Sequence, residues 1–145
     1  MTITEATTAR DMDDIRALRQ AVFVEEQNVP PELEWDGLDG AARHLIARQD
    51  GNPAGTLRWR ITGEESEIAK IERVCVLDTY RGTGLGAQLM FAALDAIGAA
   101  PDIQRIKLSS QVAAIGFYRN LGFTEEGPEY DDAGIPHVDM WRQRP

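Results

Sequence analysis

The sequence predicts an α/β protein in which helices pack on one mixed β-sheet. The first observation is that segments with helically spaced apolar residues alternate with short segments rich in β-branched residues. The second is the order of these segments, β-α-β-β-β-α-β-α-β-β, which is typical of a sheet covered by helices. The 145 residues contain no internal repeat and no linker-like stretch, so we expect a single domain over residues 1–145.

The first half of the chain predicts one helix between strands. The helix depends on apolar residues at helical spacing, which are Ile15, Leu18, Val22 and Phe23. The predicted elements are a short strand over TITEA, the helix over residues 11–27, a loop or short turn over 28–40, and a hairpin of strands over 44–50 and 54–63.

The second half predicts strands that alternate with two helices. A β-branched strand precedes a helix whose Leu85, Leu89, Ala93 and Ile97 share one stripe, and Pro101 follows the end of that helix. The predicted elements are strands over 66–77 and 103–110, helices over 84–98 and 111–121, and two final strands that begin at Phe123 and Ile135.

Composition narrows the class of protein. No apolar run reaches membrane-spanning length, and the N-terminal segment lacks the basic flank and apolar stretch of a secretory signal. One cysteine, Cys75, excludes an internal disulfide, and with two histidines it leaves little for a structural zinc site. A net charge of −9 opposes nucleic-acid binding, because phosphates must be met by Lys and Arg. We therefore expect a cytoplasmic protein without metal, membrane or nucleic-acid partners.

The negative charge is concentrated in two segments. Residues 25–39 hold six carboxylates and no basic residue, and residues 125–132 hold five more, whereas residues 68–123 sum to +2. This distribution suits an anionic cofactor bound beside a cationic substrate. Acidic loops that only aid solubility explain the same distribution.

The segment RGTGLG, residues 81–86, combines an arginine with three glycines at the start of the predicted helix over 84–98. Free backbone N–H groups and the helix dipole make such a terminus an anion site, and Arg81 can add a charge-assisted contact. The segment also matches the G-x-G-x-x-G/A dinucleotide fingerprint, although no acidic residue closes the next strand as that fold requires. A helix packed closely on a sheet is the third explanation.

Two motifs in this order resemble the GNAT-type N-acetyltransferases. RGTGLG resembles the R-x-x-G-x-G acyl-CoA loop of that family. QVAAIGFYRNLGF, residues 111–123, resembles its N-x-x-A-x-x-F-Y-x-x-x-G-F segment, with Gln111 in place of the usual Asn. The segments LRQAVFVEEQNVPPELEWDGLD, RHLIA and EYDDAGIPHVDM resemble the ElaA-like, YjcF-like branch of the superfamily. The matching positions of the second motif are Ala114, Phe117, Tyr118, Gly122 and Phe123.

The resemblance implies a fold in which acetyl-CoA lies in a V-shaped opening between two parallel strands, here residues 68–77 and 104–109. It further implies direct acetyl transfer to an amine within a ternary complex, and a homodimer is compatible with it. The amine is a small molecule or a lysine-like group, and the acidic segments predict that it is cationic. The residues implied to bind acetyl-CoA are Val74, Cys75 and Val76 through backbone pairing with pantetheine, then Arg81, Gly82, Thr83, Gly84, Leu85, Gly86, Gln111 and Tyr118.

Tyr118 is the residue that the resemblance assigns as general acid to the leaving thiolate. A phenol stays protonated at pH 7, since its ordinary pKa is about 10. For the general base the sequence offers Glu72 and His137, with Glu34 and Asp36 as weaker alternatives. Glu72 is predicted to share a strand face with Val74 and Val76, because side chains alternate with a period of two.

Alternatives to this assignment remain at the level of sequence. Glu72 and His137 are also explained as structural residues, as is His44, and Cys75 is predicted to be core rather than a nucleophile because its flanks are apolar. A non-catalytic acyl-CoA sensor on the same fold and a nicotinamide-dependent oxidoreductase are the competing functions.

Overall fold

Seven strands form one mixed sheet, and a computed structural model describes all of residues 1–145. Every neighbouring pair of strands is antiparallel except β4 and β5, which run parallel. The predicted mixed α/β class is confirmed, and the sheet is not the parallel sheet of a dinucleotide-binding fold. In the order β1-β2-β3-β4-β5-β7-β6, the strands are β1 Thr2–Glu5, β2 Arg43–Gln49, β3 Asn52–Thr62, β4 Ile68–Val76, β5 Arg105–Gln111, β6 Thr124–Asp132 and β7 Ile135–Gln143.

Four α-helices connect these strands. The Thr8 side chain caps the first helix by accepting from the Asp11 N–H, and the Asp11 carboxylate accepts from the Thr8 N–H in return. The helices are α1 Ala9–Arg19, which continues as a π-helix over Gln20–Glu26, α2 Pro31–Glu34, α3 Leu85–Gly98 and α4 Ile115–Arg119. The predicted helix over 11–27 is therefore α-helical only in its first part, and the predicted loop over 28–40 contains the one-turn helix α2.

Hydrophobic residues pack on both faces of the sheet. Helix α3 covers one face, and all four residues of its predicted stripe are buried, which confirms that prediction. Helix α1 covers part of the other face through Ile15, Leu18 and Val22, against Ile46 and Cys75 of the sheet. Because α1 contacts β3 and β4, the same face over β5 and β7 is left with polar side chains.

The two parallel strands separate along their length. Their ladder runs from Ile68 beside Arg105 to Ile71 beside Leu108, and no pair follows, although both strands continue. The segments that diverge are residues 72–76 of β4 and 109–111 of β5. This is the V-shaped split that the family resemblance implied.

A β-bulge at Arg73 changes the faces of β4. Arg73 has a positive φ of 57°, and between the pairs Glu72–Arg58 and Cys75–Thr56 β4 contains one residue more than β3. Val74 and Val76 consequently pack on the α3 side of the sheet, whereas Glu72 points to the α1 side. The predicted common face of Glu72, Val74 and Val76 is wrong, because the extra residue breaks the period of two.

β6 forms one edge of the sheet and is exposed along its whole length. It is interrupted by a register shift between Glu126 and Tyr130, around Gly127 and Pro128. Carboxylates, a proline and a bulge are features that oppose edge-to-edge pairing with another chain. No helix of the protein is long and apolar enough to cross a membrane.

Candidate active site

A cavity of about 260 Å³ passes through the split between β4 and β5. Its wall includes Val74 and Tyr118 on the α3 side of the sheet and Phe23 and Glu34 on the α1 side. A ligand in this cavity therefore has access from both faces of the sheet. The remaining lining residues are Gln27, Val29, Leu33, Lys70, Ile71, Glu72, Arg73, Leu108, Ser109, Gln111, Ala114, Asp132, Ala133, Ile135 and His137.

The glycine loop presents unused donors beside the diverging end of β4. Gly82 and Gly84 adopt positive φ values of 78° and 83°, which L side chains rarely adopt, and a Cβ on either would meet nothing within 4 Å. Gly84 is the N-cap of α3, and no side chain caps this terminus. The backbone N–H groups of residues 82–87 make no hydrogen bond within the chain. The loop thus has the open space and free donors that an anion site requires.

Arg81 is held beside this loop by two partners. Its Nη1 and Nη2 bind the Glu26 carboxylate at 2.6 and 2.7 Å, and its Nε donates to the carbonyl of Val76 at 3.0 Å. Glu26 is the last residue of the π-helix. The guanidinium therefore lies at the end of β4, where the resemblance places the pyrophosphate, but a carboxylate of the same chain occupies it.

Tyr118 lines the cavity from helix α4. Its ring packs edge-on against Phe117 and Phe123, with centroids 5.0 and 6.2 Å away. The phenol oxygen makes no hydrogen bond within the chain, so it remains free for a ligand. Burial raises the pKa of Tyr118, which keeps the phenol protonated at neutral pH.

Gln111 meets a residue that sequence reasoning did not single out. Its Nε2 donates to Oε1 of Gln27 at 2.9 Å, and both side chains line the cavity. Gln27 directly follows the π-helix, so this bond joins the α1 side of the cavity to the end of β5. The Oε1 of Gln111 and the Nε2 of Gln27 have no partner within the chain and can contact a ligand.

His137 also lines the cavity, from β7. Its Nδ1 lies 2.7 Å from the carbonyl of Ile135, which can only accept, so Nδ1 carries the proton. The neutral ring then has an unprotonated Nε2, which makes no hydrogen bond within the chain. The other histidine, His44, is buried and bonds the Asp39 carbonyl through Nε2 at 3.0 Å, away from the cavity lining.

Glu72 is enclosed by positive charge. Its carboxylate lies 2.6 Å from a nitrogen of Arg58, 2.8 Å from Arg60 and 3.2 Å from Lys70. Burial alone would raise the pKa of Glu72, but hydrogen bonding to Arg60 and the charges of Arg58 and Lys70 outweigh it and lower the pKa to about 2. Such a carboxylate is a weak proton acceptor at neutral pH and fits a structural or substrate-orienting position better than that of the base.

The acidic segment over residues 25–39 neutralises buried arginines. Arg19 binds Glu34 and Asp39, both at 2.6 Å, and Arg58 binds Asp36 at 2.6 Å. Only 1% of each of the two arginine side chains is exposed, so these pairs fix the segment onto the sheet. Arg73, on the bulge of β4, joins the same cluster through Glu34 and Asp36.

Cys75 is buried, with 5% of its surface exposed, and lies in the core on the α1 side. Burial raises the pKa of its thiol to about 12. A thiol of this kind is protonated at neutral pH and is a poor nucleophile. Its backbone pairs with Thr56 of β3, so its other edge faces the split.

The comparisons with known proteins agree with this geometry. Residues 8–143 match the sequence profile of the family described as "Acetyltransferase (GNAT) domain". The chain belongs to this family and is a GNAT N-acetyltransferase, a fold that binds acetyl-CoA or CoA.

Its relatives lie in the branch that the sequence motifs indicated. The chain is 35% identical to the N-acetyltransferase YjcF of Bacillus subtilis over 94% of this chain and 96% of that protein. It is 32% identical to the protein ElaA of Escherichia coli over 87% of this chain and 83% of that protein. An acyl-CoA N-acyltransferase from Pseudomonas aeruginosa has the same fold, with a TM-score of 0.87 at 33% identity over 97% and 98% of the two chains.

Proposed function

We propose that this enzyme transfers an acetyl group from acetyl-CoA directly to a primary amine while both are bound. The observation that supports this most is the cavity through the split, with the donor-rich glycine loop on one side and a free phenol within it. The loop fits a pyrophosphate, because its N–H groups are unbonded and the glycines leave space in front of them. The unpaired edge of residues Val74, Cys75 and Val76 fits an amide-containing arm such as pantetheine.

In this reaction Tyr118 protonates the leaving thiolate. The amine attacks the acetyl carbonyl, the C–S bond breaks, and the sulfur receives the phenol proton. The raised pKa of Tyr118 keeps that proton on the oxygen until the sulfur becomes basic. No nucleophilic residue is needed, since the buried thiol of Cys75 is protonated, which agrees with direct transfer.

The amine must lose a proton, and two groups in the cavity wall can receive it. A lysine-like amine has a pKa near 10.4, so presenting its neutral form at pH 7 costs about 4–5 kcal/mol. His137 can accept a proton at Nε2, and Ser109 presents a hydroxyl at the apex of the split. Glu72, the other base candidate from the sequence, is already bound by three cations.

A cationic acceptor is part of the proposal with reduced support. Glu34, Asp36 and Asp39 bind arginines, so they do not supply free negative charge to the cavity. Asp132, from the second acidic segment, lines the cavity without an ion-pair partner and is the carboxylate that would meet the acceptor. A cytoplasmic location and a homodimer remain predictions from the sequence.

Calorimetry with acetyl-CoA tests the binding part of the proposal. Wild type should bind, and Gly84→Glu should lose binding because a carboxylate fills the space in front of the loop. Gly127→Glu is the matched control, since Gly127 has a similar φ of 86° and open space around its Cβ but lies on β6. Wild type that fails to bind acetyl-CoA would overturn the proposal.

Turnover with a panel of primary amines tests the chemical part. Tyr118→Phe should lower kcat by about 100-fold, within the usual range for general acid catalysis, while acetyl-CoA affinity is retained. An unchanged kcat would remove Tyr118 from the mechanism. A panel in which anionic or neutral amines are better acceptors than polyamines, aminosugars and lysine peptides would remove the cationic acceptor.

A further inference from the structure

A chain of hydrogen-bonded side chains runs from the apex of the split to the surface of the sheet. Ser109 is the first residue of β5 beyond the last parallel pair, and it lines the cavity. Its Oγ is hydrogen-bonded to the phenol oxygen of Tyr130 on β6, and that phenol donates to Oδ1 of Asp139 on β7 at 2.7 Å. Tyr130 and Asp139 lie outside the cavity wall, so the chain joins the cavity to the exposed side of the sheet.

The direction of each hydrogen bond follows from the donors available. An ionised carboxylate only accepts, so Tyr130 must use its single proton on Asp139. Towards Ser109 the phenol oxygen can then only accept, and Ser109 must donate its own proton. The Ser109 oxygen is left with a free lone pair, which is what an amine N–H in the cavity requires.

We propose that Ser109, Tyr130 and Asp139 form the route by which the proton of the acceptor amine leaves the cavity. The inference rests on the proposed amine acetylation. A proton moves from the ammonium nitrogen to Ser109 Oγ as the Ser109 proton moves to Tyr130 Oη and the Tyr130 proton moves to Asp139. Only N–H and O–H bonds change, the amine becomes neutral, and Asp139 becomes a carboxylic acid. Asp139 can return that proton to water, because 32% of its side chain is exposed.

The surroundings keep this chain in place. The His137 ring stacks on Tyr130, with centroids 6.2 Å apart and planes 24° apart, which fixes the plane of the phenol. Lys107 lies 3.5 Å from Oδ2 of Asp139 and leaves Oδ1 to Tyr130.

Two further carboxylates face the group. Glu126 pairs with Asp139 across β6 and β7 but binds Arg105 at 2.9 Å, and Asp132 acts on Tyr130 through its charge. Burial raises the pKa of Tyr130, Ser109 lowers it, and Asp139 and Asp132 raise it further, so the phenol keeps the proton that the chain requires.

The opposite side of the apex offers no comparable route. Glu72 is the first residue of β4 beyond the last parallel pair, and its oxygens are bound by Arg58, Arg60 and Lys70. A proton transferred there would have to displace cations. The side of the apex on β5 is therefore the one from which a proton can leave.

The experiment compares amines of different basicity in Tyr130→Phe. The best acceptor of the panel is paired with an analogue that carries fluorine beside the amine and is already neutral at pH 7. We expect kcat/KM to fall about 100-fold for the basic amine and less than about threefold for the fluorinated one, since only the basic amine needs the relay. Ser109→Ala should give the same pattern, and the double variant should be no slower than either. Acetyl-CoA affinity, measured by calorimetry, should not change.

Glu126→Gln is the matched control, because it neutralises a neighbouring carboxylate outside the chain of hydrogen bonds, and it should behave as wild type. An equal loss for both amines, or no loss for either, would overturn the relay. A selective loss in His137→Gln without one in Tyr130→Phe would also overturn it and assign the proton to His137. Wild type that binds acetyl-CoA but acetylates no amine would overturn the proposed function instead.

Discussion

Ile71 and Leu108 form the last pair of the parallel ladder between β4 and β5. The next residues, Glu72 and Ser109, stand on either side of the opening, and both line the cavity. They differ in their partners, because Glu72 meets three cations whereas Ser109 meets a tyrosine that leads to a carboxylate. The two sides of the apex are therefore specialised, one for holding charge and one for proton transfer.

Glu72→Gln should destabilise the protein, because it leaves Arg58 buried with one neutralising partner fewer. Removing one member of a buried pair typically costs about 3–5 kcal/mol, and we expect a loss of about 3 kcal/mol in the free energy of unfolding at pH 7. Urea denaturation measures this loss. A variant as stable as wild type would show that the cluster around Arg58 rearranges without Glu72.

The same carboxylate should contribute to acid unfolding. Its pKa is about 2 in the folded protein and 4.5 as an ordinary glutamate. A lowered pKa stabilises the folded state above pH 4.5, and that contribution is lost as pH falls towards 2. The difference in stability between wild type and Glu72→Gln should therefore shrink over this interval. A constant difference from pH 7 to pH 2 would contradict this assignment.

Glu26→Gln should tighten acetyl-CoA binding, because the Glu26 carboxylate occupies the Arg81 guanidinium that a pyrophosphate would contact. Exposed ion pairs are weak, so the gain should be up to about fivefold and should be larger at low salt. Calorimetry at two salt concentrations measures it. Glu5→Gln, which breaks the exposed Glu5–Arg43 pair, is the control and should leave affinity unchanged. Weaker binding by Glu26→Gln would show that Glu26 positions Arg81 for the cofactor.

Gly86→Ala should affect stability and binding in opposite directions. Alanine is favoured over glycine in a helix, and the new Cβ would lie 3.5 Å from Phe117 Cζ, an ordinary contact, so we expect about 0.5 kcal/mol of added stability. The methyl group would narrow the approach to the loop, and we expect acetyl-CoA affinity to fall about tenfold. Gly98→Ala, at the other end of α3, should add stability without this loss. Equal affinities for the two variants would exclude close approach at Gly86.

The Cys75 thiol should not react in the native protein. With a pKa of about 12, its thiolate fraction at pH 8 is about 10⁻⁴, and the side chain is buried. An aromatic disulfide reagent should therefore label no thiol under native conditions and one thiol per chain in strong denaturant. Rapid native labelling would show that the core on the α1 side opens readily.

Much of the fold follows from local pattern. The stripe of α3 is visible as Leu85, Leu89, Ala93 and Ile97, because one buried face recurs at helical spacing. The glycine loop and Tyr118 are recognisable for a similar reason, since a tight loop with free donors and the helix after it must be built from adjacent residues. These features depend on short-range geometry, so a single sequence contains them.

Other features depend on distant segments that meet only in the folded chain. The bulge at Arg73, which reverses the expected face of Glu72, has no periodic signature, because it depends on how β4 pairs with β3. The pairing of Glu34 and Asp36 with arginines joins residues up to 39 positions apart, so the charge count alone suggested free carboxylates.

The sequence by itself determined the fold class, the acyl-CoA loop and the family of this protein, since each is set by residues close together in the chain. Only the tertiary structure decided which charges are neutralised, which face of β4 Glu72 occupies, and that Ser109, Tyr130 and Asp139 meet. These three come from different strands, and the order β5-β7-β6 in the sheet brings them together. Strand pairing is a long-range property, and for that reason no local pattern predicts it.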